Sequence, residues 1–262
     1  MVHQADTNTS PSAAICLIGD ELLSGRTRDI NLQQIAGFLA PYGVPVREVR
    51  IVPDEQDRIV EAVNELRARY SYVFTTGGIG PTHDDITADA IAAAFGVGIG
   101  HDPEVFAMLK ARYDEMGTEF TEARQRMARL PNGAVPIANP VSGAPGFQTG
   151  NVFTLAGVPS IVQGMLGDIG HRLERGVVVG SVTVRAAGLR EGDIAEKLTS
   201  LDAELDGVNL GSYPWFRSVT DHGVALVARS KSPEALSEAK DRLVQLVEET
   251  GREVEVVDGE GT

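Results

Sequence analysis

The residues best suited to chemistry lie in one stretch of the chain, positions 72–94. An apolar, β-branched run at 72–75 is typical of a buried parallel strand, and a glycine-rich loop follows it. Two adjacent carboxylates, Asp84 and Asp85, come next, and an alanine-rich helix is predicted to begin near Thr87. Glycine lets backbone N–H groups turn toward a phosphate, and a helix N-terminus favours negative charge. Because paired carboxylates can bind a divalent cation or act as a base, this stretch predicts a site for an anionic, metal-assisted ligand.

Two further acidic segments are predicted to reach the same place. Each follows an apolar run typical of a strand, at 13–18 and at 44–52. Their glycine and carboxylate residues are Gly19, Asp20, Glu21 and Asp54. The carboxyl ends of parallel strands meet at one edge of an open α/β sheet, where such folds bind their ligands. We therefore expect three loops to surround one pocket.

Several of these residues have a simpler alternative role. Asp54 stands where the N-cap of the next helix belongs, so helix capping alone could explain it. Asp84 or Asp85 could likewise cap the helix that follows, although two consecutive aspartates cannot both do so. Asn31, just inside a predicted helix start, could contact substrate or only provide polarity in the first turn. A turn could account for the pair at 20–21.

Composition narrows the classes of function. The chain has 262 residues with 37 acidic and 23 basic side chains, and its formal net charge of −14 argues against nucleic-acid and membrane partners. The single cysteine, Cys16, excludes a disulfide framework and a thiolate metal site. The polar N-terminus shows no signal pattern, and no apolar run is long enough to span a bilayer. We expect a soluble, cytoplasmic protein.

Alternation of strands and helices predicts an α/β fold with a mostly parallel sheet and right-handed crossovers. We expect a first domain at 13–175 and a smaller second domain at 176–258, between a disordered tail at 1–12 and a tail at 259–262. In the second domain the order βαββαβ predicts a ferredoxin-like arrangement.

The first domain is expected to contain further elements between these strands. Its predicted helices lie at about 29–40, 53–70, 102–130 in two pieces, and 159–175. A turn-rich segment at 139–151 should lead into a strand at 152–155. Within that segment, the loop at 142–146 has the flexibility of a ligand-covering loop.

Four motifs together carry a family resemblance: GDELLSG at 19–25, VPDE at 52–55, TTGGIGPTHDDIT at 75–87 and AGVP at 156–159. The chain resembles the molybdopterin-binding-domain (MoCF-type) family over residues 13–175. Within that family it is similar to the CinA-like competence/damage-inducible branch and to the N-terminal domain of eukaryotic FAD synthase. It departs from the pattern at Ala156, where a proline is usual.

The resemblance implies a three-layer α/β/α fold whose strand-end pocket binds a pterin or a nucleotide. In the CinA-like branch it implies metal-dependent hydrolysis of a pyrophosphate, with ADP-ribose or FAD as substrate. The alternatives are molybdopterin binding or adenylylation in molybdenum cofactor biosynthesis, and a non-catalytic binding protein. Relatives imply a homo-oligomer, either a dimer or a trimer.

The resulting site hypothesis assigns three roles. The predicted catalytic residues are Asp54, Asp84 and Asp85. The predicted ligands of a divalent cation (Mg, Mn or Co) are Asp20, Asp84 and Asp85. The predicted substrate-binding residues are Gly19, Asp20, Glu21, Asn31, Thr76, Gly77, Gly78, Gly80, Pro81, Thr82, Gly143, Gly157 and Pro159.

Overall fold

The computed structural model describes residues 10–259, so most of both predicted tails lies outside the described residues. The chain divides into two compact units, the first ending at Gly176 and the second beginning at Val177. None of the helices in the described part is long and apolar enough to cross a bilayer.

The first unit contains strands and helices in alternation. Its strands are β1 (Ala13–Ile18), β2 (Val46–Val52), β3 (Tyr72–Thr76), β4 (Ile99–His101), β5 (Arg129–Pro131), β6 (Val135–Ile137), β7 (Gly146–Thr149) and β8 (Val152–Leu155). Its helices are α1 (Asp20–Leu23), α2 (Asn31–Leu39), α3 (Gln56–Arg69), α4 (Thr87–Phe95), α5 (Pro103–Glu115), α6 (Glu122–Gln125) and α7 (Pro159–Leu166).

The main sheet has the order β2-β1-β3-β8-β7-β6. Its first four strands are parallel, whereas β7 is antiparallel to both of its neighbours. The predicted α/β class with a mostly parallel sheet is confirmed. Strands β4 and β5 form a separate antiparallel pair.

Helices cover both faces of this sheet, which explains why every residue of its central strands β1, β3 and β8 is buried. Along β1 every residue is buried. Ala14, Cys16 and Ile18 pack in the cluster formed with α3 and α4. The alternate residues of β1 pack in the cluster formed with α2 and α7. A strand buried on both faces reads as a continuous apolar run, because neither set of side chains meets water.

The structure corrects three predicted elements. Residues Gly146–Thr149 form a strand inside the segment that we expected to be turn-rich throughout. The second helix expected within 102–130 is only the short α6 and a 3₁₀ turn, after which β5 begins at Arg129. Helix α7 ends at Leu166, well before the expected position 175. The short strand β5 depends on pairing with β4, which is distant in the chain, so local sequence does not reveal it. Strand β7 could have been predicted, because the two-residue turn at Gly150 and Asn151 that joins it to β8 is a hairpin signal.

The second unit has the predicted order βαββαβ. Its elements are β9 (Gly180–Ala187), α8 (Ala195–Glu204), β10 (Val208–Phe216), β11 (His222–Ser230), α9 (Pro233–Glu248) and β12 (Val254–Asp258). The strands pair antiparallel in the order β10-β11-β9-β12, the arrangement expected of a ferredoxin-like unit.

Candidate functional site

A cleft of about 590 Å³ opens at the carboxyl ends of the parallel strands. It is bounded by the loops that follow β1, β2, β3 and β8, as the strand order requires. The predicted residues that line it are Gly19, Glu21, Asp54, Gly77, Gly78, Gly80, Pro81, Asp84, Asp85, Gly157 and Pro159.

Five predicted residues do not line the cleft: Asp20, Asn31, Thr76, Thr82 and Gly143. Thr76 is buried at the end of β3. Asn31 is also buried, and its Nδ2 donates a hydrogen bond of 2.8 Å to the carbonyl of Gly157. Asn31 therefore supports a wall of the cleft rather than contacting its contents.

Gly143 lies on the far side of its loop, against Arg112. A Cβ on Gly143 would stand 2.6 Å from Cδ of Arg112, and the φ of Gly143 is +87°. The structure therefore places Gly143 against Arg112 and not in the lining of the cleft. Its neighbours Ser142 and Ala144 are the residues of this loop that face the cleft.

Asp54 joins two of the loops. Its Oδ2 accepts a hydrogen bond of 3.0 Å from the backbone N–H of Asp20. Helix α3 begins at Gln56, with Glu55 at the N-cap position and no side-chain cap, so the capping alternative for Asp54 is wrong. The Asp54 carboxylate thus fixes the β1 loop against the β2 loop.

The carboxyl group of Asp54 is also surrounded by negative charge. Partial burial raises its pKa, the N–H of Asp20 lowers it, and the charges of Asp20, Glu21 and Asp84 raise it further, so that the net shift is upward. A raised pKa makes a carboxylate a stronger base, which suits proton transfer near neutral pH.

Asp85 folds back onto its own loop. Its Oδ2 accepts hydrogen bonds from the N–H of Thr82 at 2.7 Å and from the Thr82 hydroxyl at 2.5 Å. The N-cap position of α4 is Ile86 and has no side-chain cap, so neither Asp84 nor Asp85 caps that helix. Asp85 therefore closes the turn that presents it to the cleft.

Asp84 is the more exposed of the two neighbouring carboxylates. Hydrogen bonding from the Thr82 hydroxyl, and then from its own backbone, lowers the pKa of Asp84. The Thr82 hydroxyl has one proton and can serve only one of the two carboxylates at a time. Asp84 is thus an ionised group at the cleft surface.

The glycines of the loop serve packing as well as access. Gly77 has a φ of +102°, and a Cβ there would stand 2.2 Å from the carbonyl oxygen of Ile18. Its N–H already donates to the carbonyl of Leu155 at 3.2 Å, so Gly77 cannot offer a donor to a phosphate. The N–H groups of Gly78 and Gly80 have no hydrogen-bond partner within residues 10–259, and they remain as donors.

The charged side chains lining the cleft all have the same sign. They are Glu21, Asp54, Asp84 and Asp85, and no lysine or arginine of the described chain lines the cleft. An anionic ligand would meet repulsion here unless cations accompanied it. The donor set thus suits a hard divalent cation, which binds carboxylate oxygens.

The structure does not preform the predicted metal set. Among the described residues, no group of three or more His, Cys, Asp or Glu side chains is placed to hold one ion, so Asp20, Asp84 and Asp85 do not converge. Mg²⁺ commonly takes only one or two protein carboxylates and completes its shell with water and substrate phosphates. The carboxylates at this site fit that manner of binding.

The rest of the lining was not named as site residues, although Ser142 and Ala144 belong to the predicted ligand-covering loop at 142–146 and Ala156 and Val158 to the motif at 156–159. The additional residues are Ile18, Thr27, Ile79, Met127, Asn139, Ser142, Ala144, Ala156, Val158 and Ile161. Asn139 organises its loop: its Oδ1 accepts from the N–H of Val141 and of Ser142, and its Nδ2 donates to the Ala144 carbonyl at 2.7 Å. An asparagine directly before a proline is a turn signal that could have identified Asn139. No local signal points to Met127.

Comparison with known proteins agrees with this fold. Residues 14–175 match the family described as probable molybdopterin binding domain, and residues 183–254 match the middle domain of FAD synthase. The solved structure of the protein CinA from Thermoplasma acidophilum is similar, with a TM-score of 0.58 and 33% identity, over 62% of this chain and 98% of that one.

Whole-chain relatives are found as well. A protein of Aeropyrum pernix is 33% identical over 259 residues, which are 95% of this chain and 96% of the relative. A CinA-like protein of Frankia casuarinae is 37% identical over 200 residues, or 71% of this chain. The match spans only 46% of that Frankia protein and 62% of a relative from Caldivirga maquilingensis. The match to the family covers well over half of the chain, so the protein belongs to the molybdopterin-binding-domain family, in its CinA-like branch.

Proposed function

We propose that this protein is a divalent-metal-dependent nucleotide pyrophosphatase that acts on ADP-ribose-like or FAD-like substrates. One observation carries the proposal: the charged lining of the cleft consists only of carboxylates, beside the unpaired N–H groups of Gly78 and Gly80. Backbone donors suit a phosphate, whereas the carboxylates require a cation between them and that phosphate.

Each group then has a separate task. Asp84 and Asp85 would hold the cation, with Asp20 close enough to raise the local negative charge. A bound divalent cation would neutralise phosphate charge and lower the pKa of an attacking water. Asp54, whose pKa is raised, would accept a proton from that water. The N–H groups of Gly78 and Gly80 would donate to the phosphate oxygens as negative charge develops.

The substitution that tests this proposal is Asp54→Asn. Loss of a general base lowers turnover by about 10²–10⁴-fold. The matched control is Asp57→Asn, an exposed aspartate on α3 outside the cleft lining, which should stay within about twofold of wild type, since surface substitutions change little. Release of AMP from ADP-ribose, or of FMN from FAD, is measured with Mg²⁺, Mn²⁺ and Co²⁺. Equal rates for wild type and Asp54→Asn would refute the assignment of Asp54 as the base.

Asp85→Asn tests the cation separately. An asparagine side-chain oxygen can still accept from the Thr82 N–H, so the turn should persist while one negative charge is lost. We expect turnover to fall and the metal concentration needed for half-maximal activity to rise. Hydrolysis at the wild-type rate and metal dependence would exclude Asp85 as a ligand.

Molybdopterin binding is the second candidate, favoured by the description of the family that matches residues 14–175. The apolar part of the cleft, which includes Met127, Val158 and Ile161, could accept a pterin ring as readily as a nucleobase. Thermal-shift titrations with molybdopterin, ADP-ribose and FAD, with and without divalent metal, separate the two functions. A shift with molybdopterin alone, without metal-dependent product, would favour the binding protein.

A further inference from the structure

A side chain outside the cleft holds the loop that bears the two neighbouring aspartates. Arg126 lies in the 3₁₀ turn after α6, and its Nη2 donates a hydrogen bond of 3.2 Å to the backbone carbonyl of Asp85. Arg126 is partly buried and does not itself line the cleft. A charged donor on this carbonyl restrains the backbone from which both carboxylates project.

Arg126 also lines a small cavity that the loop borders. Its Nε is buried and has no hydrogen-bond partner in the described part of the chain. The cavity measures about 20 Å³, enough for one water molecule, and is lined by Gly78, Gly80, Asp85 and Arg126 among others.

The segment that carries Arg126 is itself anchored. Three residues further on, Arg129 forms two hydrogen bonds with Asp89, at 2.6 and 3.2 Å, and thereby ties β5 to α4. Arg126 therefore acts from a fixed base on a loop that otherwise closes through its own Thr82–Asp85 turn.

We propose that Arg126 is a positioning residue, which acts through the carbonyl of Asp85 to fix the Asp84 and Asp85 carboxylates at the cleft. Its effect on the loop is independent of the reaction, whereas its effect on turnover rests on the proposed pyrophosphatase function.

Hydrogen exchange of the intact protein tests the effect on the loop. In Arg126→Met, the hydrogen-bonded amides of this loop, those of Thr82, Asp85 and Thr87, should exchange about tenfold faster, as expected for the loss of one charged hydrogen bond. The control is Arg124→Met, because Arg124 contacts Tyr113 and the carbonyl of Glu119 but not this loop. Unchanged exchange at Thr82, Asp85 and Thr87, or an equal rise across β1 and β3, would overturn the proposal.

Kinetics then separate positioning from mere support of the fold. With a nucleotide pyrophosphate substrate, Arg126→Met should lower kcat about tenfold or more and leave KM within about twofold. Millimolar methylguanidine should restore part of the activity of Arg126→Ala, because it can refill the cavity and donate to the same carbonyl. Faster loop exchange with unchanged kcat would refute the positioning role. Absence of turnover in the wild type would instead refute the proposed function, and the exchange data alone would then decide whether Arg126 holds the loop.

Discussion

Replacing Gly77 by alanine should destabilise the first unit by about 1–5 kcal/mol. The φ of +102° costs a residue with a Cβ about 1–2 kcal/mol. The new methyl group would also stand 2.2 Å from the carbonyl oxygen of Ile18, which is backbone at the end of β1 and cannot rotate away.

Relief of that overlap must displace a strand end. Moving Gly77 away from Ile18 would strain the hydrogen bond of 3.2 Å between the Gly77 N–H and the Leu155 carbonyl. Overpacking of this kind costs about 1–3 kcal/mol. Alanine also lowers the conformational entropy of the unfolded chain relative to glycine. This stabilises the folded state by about 0.4–1 kcal/mol and offsets part of the two costs.

Gly25→Ala provides a matched control. Gly25 also has a positive φ, of +72°, but a Cβ there would have no heavy atom within 4 Å. Gly25→Ala therefore introduces the backbone strain without the overlap. We expect it to lower the free energy of unfolding by about 1 kcal/mol.

The single cysteine offers an assay for the first unit alone. Cys16 is fully buried in β1, so pulse alkylation at increasing urea reports opening of that unit without interference from the second. The difference between the urea midpoints of the two variants, multiplied by a common m-value, gives the cost of the overlap. Equal midpoints for Gly77→Ala and Gly25→Ala would refute the claim that the Ile18 carbonyl requires glycine at position 77.

Two further predictions concern buried polar atoms. Asn31→Ala should lower the free energy of unfolding by about 0.5–1.5 kcal/mol in urea, because the hydrogen bond from the buried Asn31 side chain to the Gly157 carbonyl is lost. The exposed Gln33→Ala should change stability little, and equal losses would contradict this account. Burial raises the pKa of the Cys16 thiol to about 12 in the folded protein. The thiol of the unfolded chain therefore loses its proton at a lower pH than the folded one. The free energy of unfolding should fall above about pH 9, by about 1.4 kcal/mol per pH unit. Cys16→Ala should show a shallower loss between pH 9 and pH 11, and identical slopes would contradict the shift.

Much of the first unit could be predicted from local pattern. The apolar runs at 13–18 and 72–76 are buried on both sheet faces, and runs of that kind are recognisable without knowledge of their partners. The strand β7 was missed, although the two-residue turn at Gly150 and Asn151 that joins it to β8 is a local hairpin signal. By contrast, the presence of Met127 in the cleft depends on how the turn before β5 packs, which no local pattern encodes.

The sequence by itself determined which residues stand at the carboxyl ends of the parallel strands. Gly19, Asp54 and Gly77 each follow a strand closely, and the ends of parallel strands lie at one edge of the sheet. Only the tertiary structure decided which way those residues face. Asp54 reaches across to the Asp20 amide instead of capping its own helix, and Asn31 supports the wall at Gly157. The physical reason is that chain position is set by local hydrogen bonding and periodicity, whereas the direction of a side chain is set by partners brought close from distant parts of the chain.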